Sequence, residues 1–122
     1  MKALLLSLLL LSSNVIAKDI KISAEALLAN QMSQSPHMIV DVRSEEEFSA
    51  GHVKGAINIP FNQLEKYKNV LEQLKGKTAV VYCRSGRRAS IFMEAVKDPE
   101  IEFFHLEGDI QGWQEKALPL VQ

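Results

Sequence analysis

A chain of 122 residues with 24% charged and 47% hydrophobic side chains has room for one compact domain and not for two. Its 14 basic residues are balanced by 15 acidic ones, so no basic excess exists to hold nucleic acid or an anionic membrane surface. A single cysteine excludes a disulfide framework.

Met1-Lys2 begins a short positive end, and Leu4 to Leu11 is almost unbroken leucine. Val15-Ile16-Ala17 then sets small or modest side chains at the −3 and −1 positions before Lys18. This is the layout of an export leader, with cleavage expected after Ala17; an uncleaved N-terminal anchor is the alternative. The run is short for a bilayer span and no second one follows, so no stable membrane insertion is expected after cleavage. Without residues 1–17, 105 residues remain, with 13 basic and 15 acidic side chains. The expected location is a bacterial periplasm, where a lone thiol is a liability unless it is buried or useful.

Ile20-Lys21-Ile22 reads as a short strand, and Ser23 as the N-cap of a helix from Ala24 to about Asn30. Gln31 to His37 is a polar loop, and Met38 to Val42 an apolar run of strand length. Ser44 and Glu47 form a capping box for a short helix ending at Gly51. Ala56 to Ile59 is a strand stopped by Pro60. Phe61, Leu64, Tyr67, Leu71 and Leu74 recur at three- and four-residue steps and predict an amphipathic helix ended by Gly76. Thr78 to Tyr82 is a buried strand, Arg88 to Val96 a helix, Glu102 to Leu106 a last strand and Asp109 to Lys116 a last helix. Short apolar strands alternating with helices predict an α/β fold, with a mostly parallel central sheet and helices on both faces.

The one cysteine lies where a strand hands over to a helix, in Cys83-Arg84-Ser85-Gly86-Arg87-Arg88-Ala89. Such a turn directs backbone N–H groups and the positive helix end into its mouth. With three arginines beside it, the position suits a thiolate and an anionic substrate, and an inert core thiol rarely has such neighbours. Gly86 lets the loop curl. Arg84 and Arg87 either grip an oxyanion through paired N–H groups or are solvated loop charges.

Two stretches carry a resemblance. Asp41-Val42-Arg43, Glu47-Phe48, Gly51-His52-Val53, Gly55-Ala56 and Asn58-Ile59-Pro60 run in the order of the signature upstream of the active site in the single-domain rhodanese family of sulfurtransferases. Cys83 to Ala89 is similar to that family's active-site loop. A weaker match runs from Leu106 to Trp113, with Asp109 where the family usually has glycine.

The resemblance implies a rhodanese-like fold over residues 18–122 and transfer of a sulfane sulfur from thiosulfate or a similar donor to cyanide or a thiol. Cys83 would be the nucleophile and pass through a persulfide. Arg84, Ser85, Gly86, Arg87 and Arg88 would form the substrate-binding loop, and no cofactor is called for. By family likeness Arg88 would be a structural anchor tied to an acid such as Asp41, with Asp41 and Arg43 building the floor and flank of the site. His52 suggests a general base, yet sulfur transfer between anions needs little proton traffic, which favours a packing or hydrogen-bonding role. His37 and His105 stand isolated, no spacing suggests a metal site, and Glu45-Glu46-Glu47 reads as a solvated helix start. One rival is a phosphatase or arsenate reductase on the same fold, in which five residues separate cysteine from arginine. Only four separate Cys83 from Arg88. The other rival is a non-catalytic rhodanese-like module that binds a partner or senses sulfur.

Overall fold

The computed structural model describes residues 20–122. The expected leader and its cleavage point lie outside the described residues. Five strands form a parallel sheet: β1 (Lys21–Ile22), β2 (Met38–Asp41), β4 (Ala56–Asn58), β5 (Thr78–Tyr82) and β6 (Glu102–Leu106). Their order across the sheet is β1-β6-β5-β2-β4, and every neighbouring pair is parallel. The α/β expectation holds, and the strands begin and end close to where the apolar runs place them.

Alternation along the strands divides the interior into two cores. Val40, Val42, Ala79, Val81 and Cys83 face one side, against Phe92 and Met93 of α4 (Arg87–Val96). Ile39, Val80 and Tyr82 face the other, against Leu27 of α1 (Ala24–Gln31) and Ile110 and Trp113 of α5 (Asp109–Glu115). A strand covered on both faces is apolar at every position, which is why these segments read as continuous runs.

Helix ends follow local chemistry. Ser23 Oγ accepts the Ala26 N–H at 3.1 Å and starts α1. Ser44 and Glu47 make the expected capping box of α2 (Glu45–Ala50). The amphipathic helix expected from Phe61 to Leu74 is different: only Lys68–Glu72 is helical (α3), and residues 61–67 form turns. Phe61, Leu64, Tyr67, Leu71 and Leu74 still pack on one core. Three-residue turns repeat their side chains at nearly the same step as a helix, so the spacing marked the buried face without marking the backbone.

A second, two-stranded sheet has no counterpart in the sequence reading. His52–Val53 (β3) pairs antiparallel with Leu120–Val121 (β7). Two-residue strands carry too little pattern to be seen. β3 is fastened to the main sheet by Tyr82, whose buried hydroxyl accepts the Val53 N–H at 3.0 Å. Burial, with the Asp41 carboxylate nearby, pushes the Tyr82 phenol well above its ordinary pKa.

The Glu45–Glu47 run is not a simple solvated helix start. Glu45 pairs with Lys66 at 3.0 Å and also meets the Tyr67 hydroxyl. Glu47 takes Arg88 through two bonds of 2.6 and 3.0 Å, joining α2 to α4. The Arg88 guanidinium holds the Glu47 carboxyl down to about 2 from the usual 4.5.

Two stability predictions follow from these contacts. Tyr82→Phe strands the buried Val53 N–H and should lower unfolding stability by about 1–3 kcal/mol in urea titration; an unchanged midpoint would refute the contact. Glu47 has a depressed pKa, so its contribution is complete above the unfolded value near 4.5 and fades as pH falls towards about 2. Because Glu47 is 35% exposed, solvent screening keeps that contribution to the order of 1 kcal/mol. The stability gap between the wild type and Glu47→Gln should therefore close as the pH of the titration is lowered through this window. A gap independent of pH would mean that the ion pair contributes nothing.

Candidate active site

β2, β5 and β6 end along one edge of the sheet, and their carboxyl ends deliver the residues of the site, as is usual in open parallel sheets. Cys83 directly follows β5 and is 1% exposed. Its Sγ accepts the Gly86 N–H at 3.0 Å. Gly86 holds φ 121°, a conformation that strains any side chain, and from it α4 begins.

The orientation of the loop is set from behind by α5. The Ile110 N–H donates to the Cys83 carbonyl at 3.1 Å, and the Gln111 N–H to the Arg84 carbonyl at 3.2 Å. In a trans peptide the C=O and N–H of one plane point in opposite directions, and no cis bond is present among the described residues. With those carbonyls drawn towards α5, the amides of Arg84 and Ser85 are turned to the opposite side. Together with the Gly86 amide they make a concave, donor-rich surface of the kind that favours anions.

Cys83, Arg84, Ser85, Arg87 and Arg88 line a cavity of about 170 Å³. Pockets for drug-sized ligands run from roughly 300 to 1,000 Å³, so this cavity suits a small anion. A larger recess of about 410 Å³ runs from Ser35 to Met38 and beside Lys77 and Thr78, at the opposite ends of β2 and β5, and holds no cysteine and no arginine. Chemistry rather than size identifies the site.

The three arginines divide. Arg88 is committed to Glu47, and the expected tie to Asp41 is absent because Asp41 is already taken. Its carboxylate receives Arg43 Nη2 at 2.7 Å and Arg43 Nε at 3.1 Å, with both residues buried. The hydrogen bonds to the Glu47 carboxylate hold the Arg88 pKa above its ordinary value. Arg84 and Arg87 are exposed, and neither makes a salt bridge among the described residues.

Asp41 and Arg43 do not line the cavity, contrary to the expectation of floor and flank. Arg43 Nη2 also donates to the Gly51 carbonyl at 2.7 Å, so the pair ties the end of β2 to the turn between α2 and β3. His52 lies apart from the cavity lining as well. Its ring stacks on Phe48 with centroids 3.7 Å apart, and its Nδ1 donates to the Phe48 carbonyl at 2.9 Å. Packing and hydrogen bonding are therefore its visible roles.

Asp109 stands out in the sequence beside the loop, but its pairing with His105 does not. His105 is not isolated: its Nε2 lies 2.9 Å from Oδ1 of Asp109, and both residues are buried. The same Oδ1 accepts the Cys83 backbone N–H at 2.9 Å. The four-residue step from His105 to Asp109 is an available signal, but it crosses from a strand into a helix, where ordinary periodicity does not apply. Among the described residues no group of three or more His, Cys, Asp or Glu side chains is placed to hold a metal.

This geometry can be set beside known proteins. Residues 23–116 match the rhodanese-like domain. The uncharacterised protein slr1261 of Synechocystis is 32% identical over 100 residues, covering 81% of this chain and 55% of that protein. YqhL of Bacillus subtilis, also uncharacterised, is 37% identical over 79 residues, covering 62% of this chain and 59% of that protein. The chain thus spans little more than half the length of these two relatives. A segment of the adenylyltransferase and sulfurtransferase uba4 of Ogataea parapolymorpha, 20% of that protein, is 36% identical over 69% of this chain. Among solved structures, a rhodanese-related protein of Thermoplasma volcanium superposes with a TM-score of 0.71 at 29% identity, covering 84% of this chain and 97% of that one. The order of strands, the cysteine loop at the end of β5 and these matches agree, and the chain belongs to the rhodanese-like domain family.

Proposed function

We propose that this protein is a sulfurtransferase of the small exported kind, which moves a sulfane sulfur from thiosulfate or a similar donor to a thiophilic acceptor. The observation that carries the reading is Cys83 Sγ held at 3.0 Å from the Gly86 N–H, at the base of a cavity edged by the two exposed arginines. Backbone donors and cationic side chains around a thiol favour its thiolate. Sulfurtransferase activity named for the uba4 relative supports the same reading at the level of the family.

The cycle has two displacements. The Cys83 thiolate attacks the outer sulfur of thiosulfate; a new S–S bond forms, and the old one breaks with its electron pair leaving on sulfite. Cyanide or a thiolate then attacks the outer sulfur of the persulfide, and the pair of that S–S bond returns to Cys83. Covalent transfer of this kind runs by ping-pong kinetics. Thiolate and persulfide are both anionic, so the Gly86 amide already aimed at the sulfur serves each of them without reorganising. Arg84 and Arg87 would hold the sulfonate end of the donor, since a guanidinium matches two oxygens with parallel N–H bonds. The four-residue spacing from Cys83 to Arg88 makes the loop small for a phosphate and adequate for a sulfur atom. Export to a periplasm is proposed on the pattern of residues 1–17 alone.

Intact-mass spectrometry of the reduced protein after incubation with thiosulfate tests the cycle. The expected result is a gain of one sulfur atom that cyanide removes and that Cys83→Ser lacks. No gain in the wild type would defeat thiosulfate as donor and favour a binding or sensing module. In steady-state assays Arg87→Ala should raise the KM for thiosulfate by roughly tenfold, as loss of a charge-assisted pair does. An unchanged KM would remove Arg87 from donor binding.

A further inference from the structure

The loop rests on one buried carboxylate that the sulfur-transfer cycle does not use. Asp109 is 3% exposed and opens α5 at φ 54°, in the left-handed region that few residues other than glycine, asparagine and aspartate visit. Oδ1 receives the Cys83 N–H at 2.9 Å and faces His105 Nε2 at the same distance. An ionised carboxylate only accepts, so Nε2 carries a hydrogen there and steadies the carboxylate. The second oxygen reaches the other end of the loop. A Cβ built on Gly86 would stand 3.2 Å from Oδ2 and 3.5 Å from His105 Cε1. One side chain therefore bonds to Cys83, which supplies the sulfur of the N–H···S contact, and fills the space beside Gly86, which supplies the amide.

A negative charge beside this loop works against a thiolate, so electrostatic assistance does not explain it. Its contacts do. A side chain at positive φ persists where the surroundings over-determine it, and such positions cluster where geometry matters. We propose that Asp109, oriented by His105, is a positioning residue that holds Cys83 and Gly86 in register and thereby sets the reactivity of the sulfur. Its effect on turnover rests on the sulfur-transfer reading of this same loop; its effect on the thiol does not.

Two substitutions separate position from charge. Asp109→Gly keeps the backbone conformation and removes the acceptor. Asp109→Asn removes the charge and keeps an Oδ1 for Cys83 and His105. The two variants have equal charge, so the difference between them reads the hydrogen bonds. Iodoacetamide is a neutral electrophile that needs no arginine. In the full chain at neutral pH it should alkylate Cys83 at least about fivefold more slowly in Asp109→Gly than in Asp109→Asn. With thiosulfate and cyanide, kcat should fall by a similar factor, while KM for thiosulfate stays near the value for Asp109→Asn. Equal alkylation rates, or a faster Asp109→Gly, would overturn the role.

The Cys83 amide of the unsubstituted protein gives a reading that does not depend on whether Asp109→Gly folds. Its proton should resonate downfield and exchange slowly with solvent. Exchange at the rate of an open loop amide would overturn the proposal. A wild type that gains no sulfur from thiosulfate would defeat thiosulfate as the donor and leave the alkylation comparison intact.

Discussion

Two amide-to-carbonyl bonds behind the loop, from Ile110 and Gln111 to Cys83 and Arg84, govern the site. A buried sulfur surrounded by carbonyl oxygens would be a poor thiolate, and a peptide chain presents carbonyls as readily as amides. Tying the carbonyls to α5 removes that ambiguity. The free amides at the start of a helix need acceptors in any case, so one set of bonds satisfies α5 and orients the loop. The weak sequence match from Leu106 to Trp113 belongs to the site for this reason, although none of its residues lines the cavity.

Charge is distributed by the same economy of contacts. Each acid near the site already has a defined partner: Asp41 with Arg43, Glu47 with Arg88, and Asp109 with His105 and the Cys83 amide. The buried Asp41–Arg43 pair shapes the chain around Gly51, and the half-buried Glu47–Arg88 pair fixes the first turn of α4. Once these are counted, Arg84 and Arg87 are the arginines of the loop that remain open to solvent. An anion arriving at the cavity meets them without first displacing an internal carboxylate.

Much of this was legible in the residues. Continuous apolar runs located the strands because a parallel sheet buries both faces, and Ser44 with Glu47 announced α2 because a capping box is local. Cys83 stood out because strand, glycine and arginines are contiguous in sequence. Pairings across space were not legible. Nothing local tells Arg88 to choose Glu47, 41 residues away, over Asp41, and here the family likeness pointed to the wrong acid. Residues 61–67 misled through a periodicity that turns share with helices. β3 and β7 lie nearly 70 residues apart, and each is too short for a pattern.

The burial of Cys83 makes the two halves of the proposed cycle sterically unequal. A donor must bring its sulfur down to a cysteine that is 1% exposed, between loop amides and arginines. After transfer, the reactive sulfur stands one S–S bond, about 2 Å, beyond Sγ. The acceptor therefore meets its target closer to the mouth of the cavity. In the proposed cycle, burial would make loading the more selective step and unloading the more tolerant one. The same recess shields the resting thiol from bulky disulfides, which cannot bring a sulfur to it without opening the loop.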